Sequence, residues 1–281
     1  MKIIRKIAEL RTEIARLRRE GKRIALVPTM GYFHAGHLSL MKVASEKADV
    51  LVISLFVNPT QFAPSEDLDQ YPRDFDRDER LAREQGTNIL FYPEVAEMYP
   101  DKQYTYVITE ELAGILCGKY RPTHFRGVTT VVAKLFNIVL PDLAVFGQKD
   151  HQQAIIIRRM VEDLNFSVEI IVAPIVREAD GLAMSSRNVY LSTAERRDAP
   201  RIQQALQRAR TAVEAGERSA DKIRTLIRTA IEQSDLAKLQ YIEIVNDRDL
   251  ASQERIEAGT FAAVAVYYGK TRLIDNIYLM P

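Results

Sequence analysis

The sequence predicts an α/β protein with a Rossmann-like, doubly wound parallel sheet and a smaller C-terminal α+β domain. Apolar runs typical of buried strands alternate with helical segments from Arg23 to Pro174. Such alternation is typical of parallel sheets that carry helices on both faces. After "READGLAMSSRNVYLS" the order changes to two helical segments followed by three strands. We therefore predict one domain over residues 1–176 and a smaller one over residues 177–281.

The elements of the first domain follow from hydrophobic periodicity. The N-terminal segment "MKIIRKIAELRTEIARLRRE" has apolar residues at helical spacing, which predicts a packed amphipathic helix. The strands expected after it are "RIALVPT", "VLVISLFV", "NILFYP", "LAVFG" and "SVEIIVAP". The helices expected between them are "LSLMKVASEKA", "FDRDERLAREQG", "VVAKLFNIV" and "HQQAIIIRRMVEDL".

The second domain should contain two helical regions and a hairpin. Ser192 and Glu195 have the spacing of a capping box, and Pro200 should bend or break the helix that they begin. The helical regions are "TAERRDAPRIQQALQRARTAVEAG" and "ADKIRTLIRTAIEQS", and the strands are "LQYIEIV", "TFAAVAVYYG" and "TRLIDNIYL". The last two strands are joined through "YGKT", which predicts an antiparallel hairpin.

Composition limits the classes of partner. The 281 residues include 39 basic and 38 acidic side chains, a formal charge of +1. This balance gives no global attraction to nucleic acid or to an anionic membrane. No apolar run reaches the roughly 18 residues that a transmembrane helix needs. Cys117 is the only cysteine and cannot form an internal disulfide, and the N-terminus lacks the apolar core of a secretory signal, so we expect a cytoplasmic protein.

The segment "VPTMGYFHAGHLSLM" places His34 and His37 directly behind a predicted strand. Gly31 and Gly36 permit close backbone approach, and the N-terminus of the following helix should present N–H groups to an anion. Histidines three residues apart share one helical face, so both could donate hydrogen bonds to phosphate oxygens. Standing alone, the pair equally suits structural packing. A zinc site is disfavoured, because the chain has only four histidines and no H-E-x-x-H motif.

Two further polar segments, "LFVNPTQF" and "FGQKDHQQ", also follow predicted strands. Ligands of doubly wound sheets bind beyond the C-terminal ends of the strands. The amides of Asn58 and Gln61 suit a ligand with hydroxyl and carboxylate groups, although Asn-Pro also favours an ordinary turn. Lys149 could neutralise phosphate charge, or it could be a solvated surface lysine. Asp150 could hold a ribose hydroxyl, cap the next helix or orient Lys149, and Gln153 lies one turn further along.

A third polar segment, "GLAMSSRNVYLS", lies between the predicted domains. The hydroxyls of Ser185 and Ser186 beside the guanidinium of Arg187 could bind a polyphosphate, and a hinge would let them arrive after the substrate. A plain linker is the alternative. The segment "YRPTHFRGV" adds three side chains in another predicted loop: Arg121, His124 and Arg126.

In this order along nearly the whole chain, the segments resemble the pantoate–β-alanine ligase family of pantothenate synthetases. The matching landmarks are "PTMGYFHAGHLSL", "FVNPTQF", "YPR", "RPTHFRGV", "KLFNIV.PD.A.FGQKD.QQ", "DGLAMSSRN" and "TRLIDN". The first resembles the H-x-G-H (HIGH) signature of nucleotidylyltransferases and class I aminoacyl-tRNA synthetases. "MSSRN" occupies the place of that superfamily's mobile second signature loop.

The resemblance implies an ATP-dependent condensation of (R)-pantoate with β-alanine through a pantoyl adenylate, which releases AMP and pyrophosphate. It implies Mg²⁺ on the ATP phosphates, no covalently bound cofactor, a homodimer, and a lid role for the C-terminal domain. The implied catalytic residues are His34, His37, Lys149, Ser185, Ser186 and Arg187. The implied ATP contacts are Pro28, Thr29, Met30, His34, Gly36, His37, Gly147, Lys149, Asp150, Val176, Met184, Ser185, Ser186 and Arg187.

The resemblance also assigns the second substrate. The implied pantoate contacts are Met30, Asn58, Gln61, Phe62, Tyr71, Arg121, His124 and Gln153, and the implied metal-binding candidates are Asp74, Asp76 and Asp78. Family members often carry phenylalanine where this chain has His151, which we expect to leave the chemistry unchanged. Two alternatives stay open: another nucleotidylyltransferase acting on a phosphorylated small molecule, and a catalytically silent ATP-binding homologue. A tRNA ligase is disfavoured, because no basic surplus is present.

Overall fold

A computed structural model of the chain describes residues 1–64 and 66–281, which form two compact units. The first unit consists of Met1–Gly114, Gly118–Gly147 and Ile156–Pro174. The second unit consists of Ile115–Cys117, Gln148–Ile155 and Ile175–Pro281. The predicted domain boundary between residues 176 and 177 stays a prediction.

The first unit contains a six-stranded sheet in the order β1-β4-β3-β2-β5-β6, with every neighbouring pair parallel. Its strands are β1 (Lys2–Ile4), β2 (Ile24–Thr29), β3 (Val50–Leu55), β4 (Ile89–Phe91), β5 (Leu143–Gly147) and β6 (Glu169–Ala173). The helices that begin before β6 are α1 (Ile7–Arg19), α2 (Ala35–Ser45), α3 (Phe75–Glu84), α4 (Val95–Met98), α5 (Cys117–Tyr120), α6 (His124–Val139) and α7 (His151–Asp163). The predicted Rossmann-like, doubly wound sheet is confirmed.

The strand order reverses beside β2. The chain leaves β2 through α2 and returns as β3 on one side, whereas β5 pairs with the other side of β2. The central strands are apolar and buried because helices cover parallel sheets on both faces. In open α/β sheets, ligands bind beyond the C-terminal strand ends at such a reversal. A binding site is therefore expected at the polar segments after β2, β3 and β5.

The N-terminal prediction was partly wrong. Residues Lys2–Ile4 form β1 on the edge of the sheet, and the helix α1 begins only at Ile7. Ile3 fits the helical period, but it pairs in parallel with Leu90 of β4. A β-branched segment beside an open strand edge gains ladder hydrogen bonds that a helical turn at this point would not provide.

The second unit contains a three-stranded antiparallel sheet in the order β7-β8-β9, which confirms the predicted smaller α+β domain. Its strands are β7 (Ala237–Asn246), β8 (Thr260–Tyr268) and β9 (Thr271–Met280), and its helices are α8 (Thr193–Asp198), α9 (Arg201–Glu214) and α10 (Ala220–Ile231). The predicted hairpin between β8 and β9 is confirmed. The capping box is also confirmed, since Ser192 and Glu195 each accept the other's backbone N–H. Pro200 separates α8 from α9, as predicted.

Each unit has its own apolar core. In the first unit, Phe33 and Met41 pack with the buried side chains of the central strands. In the second unit, residues of α9 and α10 such as Leu206 and Ile227 pack against β8. Within the described residues, no helix combines the length and the apolar character needed to cross a membrane.

Candidate active site

His34 and His37 form a reciprocal cap at the start of α2. The Nδ1 atom of His34 accepts the backbone N–H of Gly36 at 3.1 Å, and Nδ1 of His37 accepts the backbone N–H of His34 at 3.3 Å. The ring centroids are 4.1 Å apart. A neutral imidazole whose Nδ1 accepts a hydrogen bond carries its proton on Nε2. Each ring therefore has a fixed tautomer with an Nε2–H donor, beside the N-terminus of a helix.

The turn before this helix is held by Asp78 of α3. Its Oδ2 accepts the backbone N–H of Tyr32 at 2.6 Å, and its Oδ1 accepts that of Phe33 at 2.7 Å. Gly31 and Tyr32 have φ values of 86° and 52°. A Cβ on Gly31 would lie 2.9 Å from Asp78 Oδ2, so the turn needs glycine both for its backbone and for this close approach. Asp78 is 1% exposed, and burial raises its pKa, which the two N–H donors oppose.

The three aspartates proposed as metal ligands have different surroundings. Both oxygens of Asp78 accept backbone N–H groups, so this carboxylate is poorly suited to a cation. Asp74 caps α3 by accepting the N–H of Arg77 at 3.1 Å, and Asp76 is exposed in the first turn of the same helix. Across residues 1–64 and 66–281, no cluster of three or more His, Cys, Asp or Glu side chains could hold a metal ion.

The last residues of β2 are held in position by contacts with β3. Pro28 and Thr29 are the last two residues of the strand and pair with Ser54 and Leu55 of β3. The hydroxyl of Thr29 donates to the carbonyl of Ser54 at 2.8 Å. Thr29 therefore ties the end of β2 to the neighbouring strand immediately before Met30.

Asn58 organises the turn after β3. Its Oδ1 accepts the hydroxyl groups of Thr60 and Tyr99, both at 2.9 Å. Its Nδ2 donates to Gln61 Oε1 at 3.2 Å and to the carbonyl of Gly127 at 3.1 Å. Pro59–Gln61 form a 3-10 helix rather than an ordinary turn. Asn58 is 1% exposed, and its side-chain amide both donates and accepts hydrogen bonds within the protein. We therefore infer that it stabilises the turn.

Besides Asn58, Gln61 is held by three further neighbours in the first unit. Its Nε2 lies 2.9 Å from Met30 Sδ, and its carbonyl lies 2.9 Å from Nδ1 of His124 and 3.4 Å from Nη2 of Arg121. Arg121 also donates two hydrogen bonds to Glu66, at 2.7 and 2.6 Å. Burial raises the pKa of Glu66, but Arg121 outweighs this and leaves it below its ordinary value. The structure thus brings five of the predicted pantoate contacts together, Met30, Asn58, Gln61, Arg121 and His124, with the charge of Arg121 balanced by Glu66.

The segment "YRPTHFRGV" was predicted as a loop, but α6 begins at His124. The helix continues because its buried face is apolar over the following turns. Gly127 permits the helix to approach the turn after β3, since a Cβ there would lie 2.5 Å from the carbonyl oxygen of Thr60. Arg126 is not in a loop either, and its guanidinium lies 4.7 Å from the ring centroid of Tyr106.

Phe62 and Tyr71 provide an apolar surface in the same unit. Both are buried, and their rings meet edge-on with centroids 5.9 Å apart. Gly147, the last residue of β5, would place a Cβ 3.9 Å from Leu40 of α2, an ordinary contact. Packing against Leu40 therefore does not by itself require glycine at this position.

The segment "QKD" of the second unit forms a short 3-10 helix over Gln148–Asp150, immediately before α7. Lys149 is half-buried, and its Nζ lies 3.9 Å from Oδ2 of the exposed Asp150. Gln153 is half-buried in the first turn of α7. His151 is buried, and its ring meets that of Phe261 edge-on with 4.6 Å between the centroids. Its ring therefore packs as a phenylalanine ring would.

The segment around Ser185, predicted to bind a polyphosphate with a plain linker as the alternative, is ordered. Arg177 pairs with Ala183 in an antiparallel bridge, and the N–H of Met184 donates to the carbonyl of Val176 at 3.0 Å. Ser185 then caps a 3-10 helix over Ser186–Tyr190 by accepting the N–H of Arg187 at 3.3 Å. Local hydrogen bonds therefore fix the shape of this segment, and its role in binding a polyphosphate stays a prediction.

Several supporting residues were missed from the sequence. Tyr99 and Gly127 contact Asn58 or its turn, Glu66 pairs with Arg121, and Asp78 holds the turn at Tyr32. All act through partners remote in the chain, which periodicity and local motifs do not show. Of these, Asp78 was noted from the sequence, as one of three carboxylates in the "YPRDFDRD" segment that were candidates for the metal, but its contact with the turn at Tyr32 was not predicted.

Comparison with known proteins gives a consistent result. The profile of one family, pantoate-beta-alanine ligase, matches residues 2–278. A pantothenate synthetase of Pelotomaculum thermopropionicum is 52% identical over 279 residues, covering 99% of each chain. The pantothenate synthetase of Syntrophotalea carbinolica is 52% identical over 280 residues, covering 100% of this chain and 99% of the relative.

Solved structures agree. A pantothenate synthetase from Thermus thermophilus superposes with a TM-score of 0.95 at 42% identity, covering 100% of both chains. A pantoate-beta-alanine ligase from Francisella tularensis, complexed with beta-gamma ATP and beta-alanine, gives a TM-score of 0.83 at 34% identity, covering 99% of this chain and 98% of that one.

Proposed function

Because the chain belongs to the pantoate–β-alanine ligase family and joins pantoate to β-alanine, we propose that it does so through a pantoyl adenylate. The observation that carries this proposal is the reciprocal cap of His34 and His37 at the N-terminus of α2, in which each Nδ1 accepts a backbone N–H and the proton of the neutral ring is assigned to Nε2. Fixed donors at a helix N-terminus suit the phosphate groups of ATP. ATP is accordingly the proposed source of the activating group.

The chemistry proceeds in two balanced steps. A carboxylate oxygen of pantoate attacks the α-phosphorus of ATP, and the bond from that phosphorus to the pyrophosphate oxygen breaks. The amine nitrogen of β-alanine then attacks the pantoyl carbonyl, the bond to the AMP oxygen breaks, and the amine loses a proton. Activation is needed because an acyl phosphate has a far better leaving group than a carboxylate. The protein's task is to align the reactants and to stabilise charge on the phosphate oxygens.

We assign the charge stabilisation to imidazole, ammonium, hydroxyl and guanidinium groups. His34 and His37 donate through Nε2 to phosphate oxygens, and Lys149 adds a positive charge. Ser185, Ser186 and Arg187 supply hydroxyl and guanidinium donors for the phosphates. The remaining proposed ATP contacts are Pro28, Thr29, Met30, Gly36, Gly147, Asp150, Val176 and Met184.

Pantoate recognition is assigned to amide and apolar side chains. Gln61 and Gln153 hold its hydroxyl and carboxylate groups, while Met30 and Phe62 contact its geminal methyl groups. The contacts within the first unit refine the other assignments: Asn58, Arg121 and His124 hold Gln61 in place, and Tyr71 packs against Phe62. Gln61 is therefore the residue whose loss should affect pantoate most directly.

The substrate is proposed to be the Mg²⁺ complex of ATP. The two exposed aspartates Asp74 and Asp76 fit a hydrated ion better than Asp78 does, because both Asp78 oxygens accept N–H groups. A cytoplasmic homodimer with a lid formed by the C-terminal domain is proposed from the family resemblance. Sedimentation equilibrium of the purified chain would test the dimer.

An isotope experiment tests the adenylate. Pantoate labelled with ¹⁸O in its carboxylate is incubated with the protein, Mg²⁺, ATP and β-alanine, and the masses of the products are measured. An adenylate transfers one labelled oxygen to AMP, whereas a pantoyl phosphate would transfer it to orthophosphate. Label in orthophosphate, or no pantoate-dependent exchange of labelled pyrophosphate into ATP by folded protein, refutes the proposal.

The same reaction separates the two alternatives. A nucleotidylyltransferase with another substrate would not consume β-alanine, and a silent homologue would bind ATP without releasing pyrophosphate. Formation of pantothenate, identified by its mass, contradicts both. Omission of pantoate is the control for background ATP hydrolysis.

A further inference from the structure

The terminal motif "TRLIDN" has no role in the reaction described above. Its last two residues, Asp275 and Asn276, lie on β9 at the edge of the three-stranded sheet and are 4% and 3% exposed. Buried polar side chains are costly unless hydrogen bonds satisfy them. The partners of these two residues therefore indicate what the motif does.

Asn276 binds the backbone on both sides of Lys149. Its Nδ2 donates to the carbonyl of Gln148 at 2.9 Å and to the carbonyl of Lys149 at 3.1 Å, while its Oδ1 accepts Nε2 of Gln148 at 3.3 Å. These two carbonyls belong to the peptide groups before and after the Lys149 Cα. Holding both peptide planes fixes the direction in which the lysine side chain leaves the backbone.

Asp275 holds the other polar segment of the second unit. Its two oxygens accept Nη1 and Nη2 of Arg177 at 2.7 and 3.0 Å, in the paired geometry that is strongest for arginine and carboxylate. Arg177 also donates to the carbonyl of Gly181 at 3.1 Å and pairs with Ala183. This hairpin leads directly into Ser185.

Consecutive residues of a strand direct their side chains to opposite faces. We propose that Asp275 and Asn276 are positioning residues that place Ser185–Arg187 and Lys149, respectively, for the reaction. The inference rests on the proposed function, which assigns both segments to the ATP phosphates. One rigid dipeptide thereby sets the geometry of two catalytic segments that are far apart in the chain.

The first test is a double-mutant cycle on pantoate-dependent pyrophosphate exchange. Asn276→Ala should lower kcat roughly 10- to 100-fold, the scale for a misplaced catalytic group. Lys149→Ala should lower it roughly 10²–10³-fold. If Asn276 acts through Lys149, adding Asn276→Ala to Lys149→Ala should change the rate by no more than about twofold. If the double variant instead loses activity by the product of the two single-variant losses, the inference is wrong.

A control separates positioning from stability. Tyr268→Phe removes a buried hydroxyl that donates to Asp198 Oδ2 at 2.9 Å in the same unit, and it touches neither catalytic segment. It should lower the unfolding temperature while leaving kcat within about twofold of the wild-type value. An equal loss of kcat in Tyr268→Phe and Asn276→Ala would mean that both act through stability alone, which contradicts the proposal.

Hydrogen–deuterium exchange of the full chain gives a readout that does not depend on activity. Asn276→Ala should speed exchange in peptides covering residues 146–153, and Asp275→Asn in peptides covering residues 177–187. Each variant should leave the other segment close to wild type. Uniform acceleration across the unit, or none in either segment, refutes the positioning role.

The two readouts also separate the inference from the proposed function. Wild-type protein that shows no exchange of pyrophosphate defeats the adenylate mechanism, and the deuterium pattern then decides the positioning role on its own. If the wild-type protein is active and the rate losses of the two single variants multiply in the double variant, only the positioning role is refuted.

Discussion

The Oδ2 atom of Asp78 accepts the backbone N–H of Tyr32 at 2.6 Å, across 46 residues of sequence. Tyr32 has a positive φ of 52°, which a tyrosine adopts only when its surroundings enforce it. The carboxylate therefore stabilises the turn that leads into His34.

Replacement of this carboxylate should weaken both the turn and the reaction. Asp78→Asn turns one acceptor oxygen into a donor that faces an N–H group, so we expect the free energy of unfolding to fall by about 1–3 kcal/mol. The exchange rate should fall as well, because the turn precedes the two histidines. Glu84→Gln on the same helix α3 is the matched control, since it removes only an exposed ion pair with Arg80. Chemical denaturation and pyrophosphate exchange measure the two effects, and equal behaviour of the variants would contradict the role of Asp78.

His37 should act through its Nε2–H. His37→Ala should reduce adenylate formation roughly 10²–10³-fold, as expected for losing one preorganised donor. Asparagine can reproduce the Nδ1 acceptor of the cap but has no group at Nε2, whereas glutamine can reach the Nε2 position. The glutamine variant should therefore retain roughly tenfold more activity than the asparagine variant, a difference that corresponds to the free energy of about one hydrogen bond. Equal rates for the two variants, measured by pyrophosphate exchange, would rule out the Nε2 assignment.

Gln61→Ala should chiefly affect pantoate. Loss of a neutral hydrogen bond should raise the KM for pantoate roughly tenfold and leave the KM for ATP within about twofold. Gln103→Ala, which loses a hydrogen bond to the carbonyl of Thr105 elsewhere in the unit, is the control. A selective rise in the KM for ATP would contradict the placement of Gln61.

Gly127→Ala should disturb the turn after β3. Its new Cβ would lie 2.5 Å from the Thr60 carbonyl oxygen, and the backbone must shift to admit it. We expect a loss of about 1–3 kcal/mol in unfolding free energy, the scale for overpacking, together with weaker pantoate binding. Gly114→Ala places its Cβ 3.6 Å from the carbonyl oxygen of Glu111, an ordinary contact, and should be nearly neutral. Matching thermal unfolding curves for the two variants would refute this steric argument.

Glu13 should make the protein acid-sensitive. Hydrogen bonds from Arg16 and Lys2 lower the pKa of Glu13 from 4.5 to about 2. Because the folded-state pKa lies below the unfolded one, the stabilisation is present above about pH 5 and is lost as the pH falls toward 2. The stability difference between wild type and Glu13→Gln should therefore shrink over this window. Urea denaturation at several pH values measures this difference, and a constant difference for Glu13 would disprove the linkage.

Residue type and strand position were enough to find the principal polar segments. His34 and His37, Asn58 to Gln61, and Lys149 all follow strands whose apolar character is local and readable. The contacts of Asp78, Tyr99 and Asn276 could not be predicted, because each depends on a tertiary partner remote in sequence. The strand β1 was missed for a related reason: Ile3 fits a helix equally well until the open edge of β4 is known.

The histidine cap and the turn before it depend on very different stretches of chain. His34 and His37 are three residues apart, so their mutual cap can form as soon as α2 does. The turn at Tyr32 needs Asp78, which a ribosome adds 46 residues later. Local contacts form fast and early, whereas distant ones await the rest of the domain. During synthesis, the helix that carries both imidazoles can therefore exist before the turn that orients it, and docking of α3 is the event that completes this part of the protein.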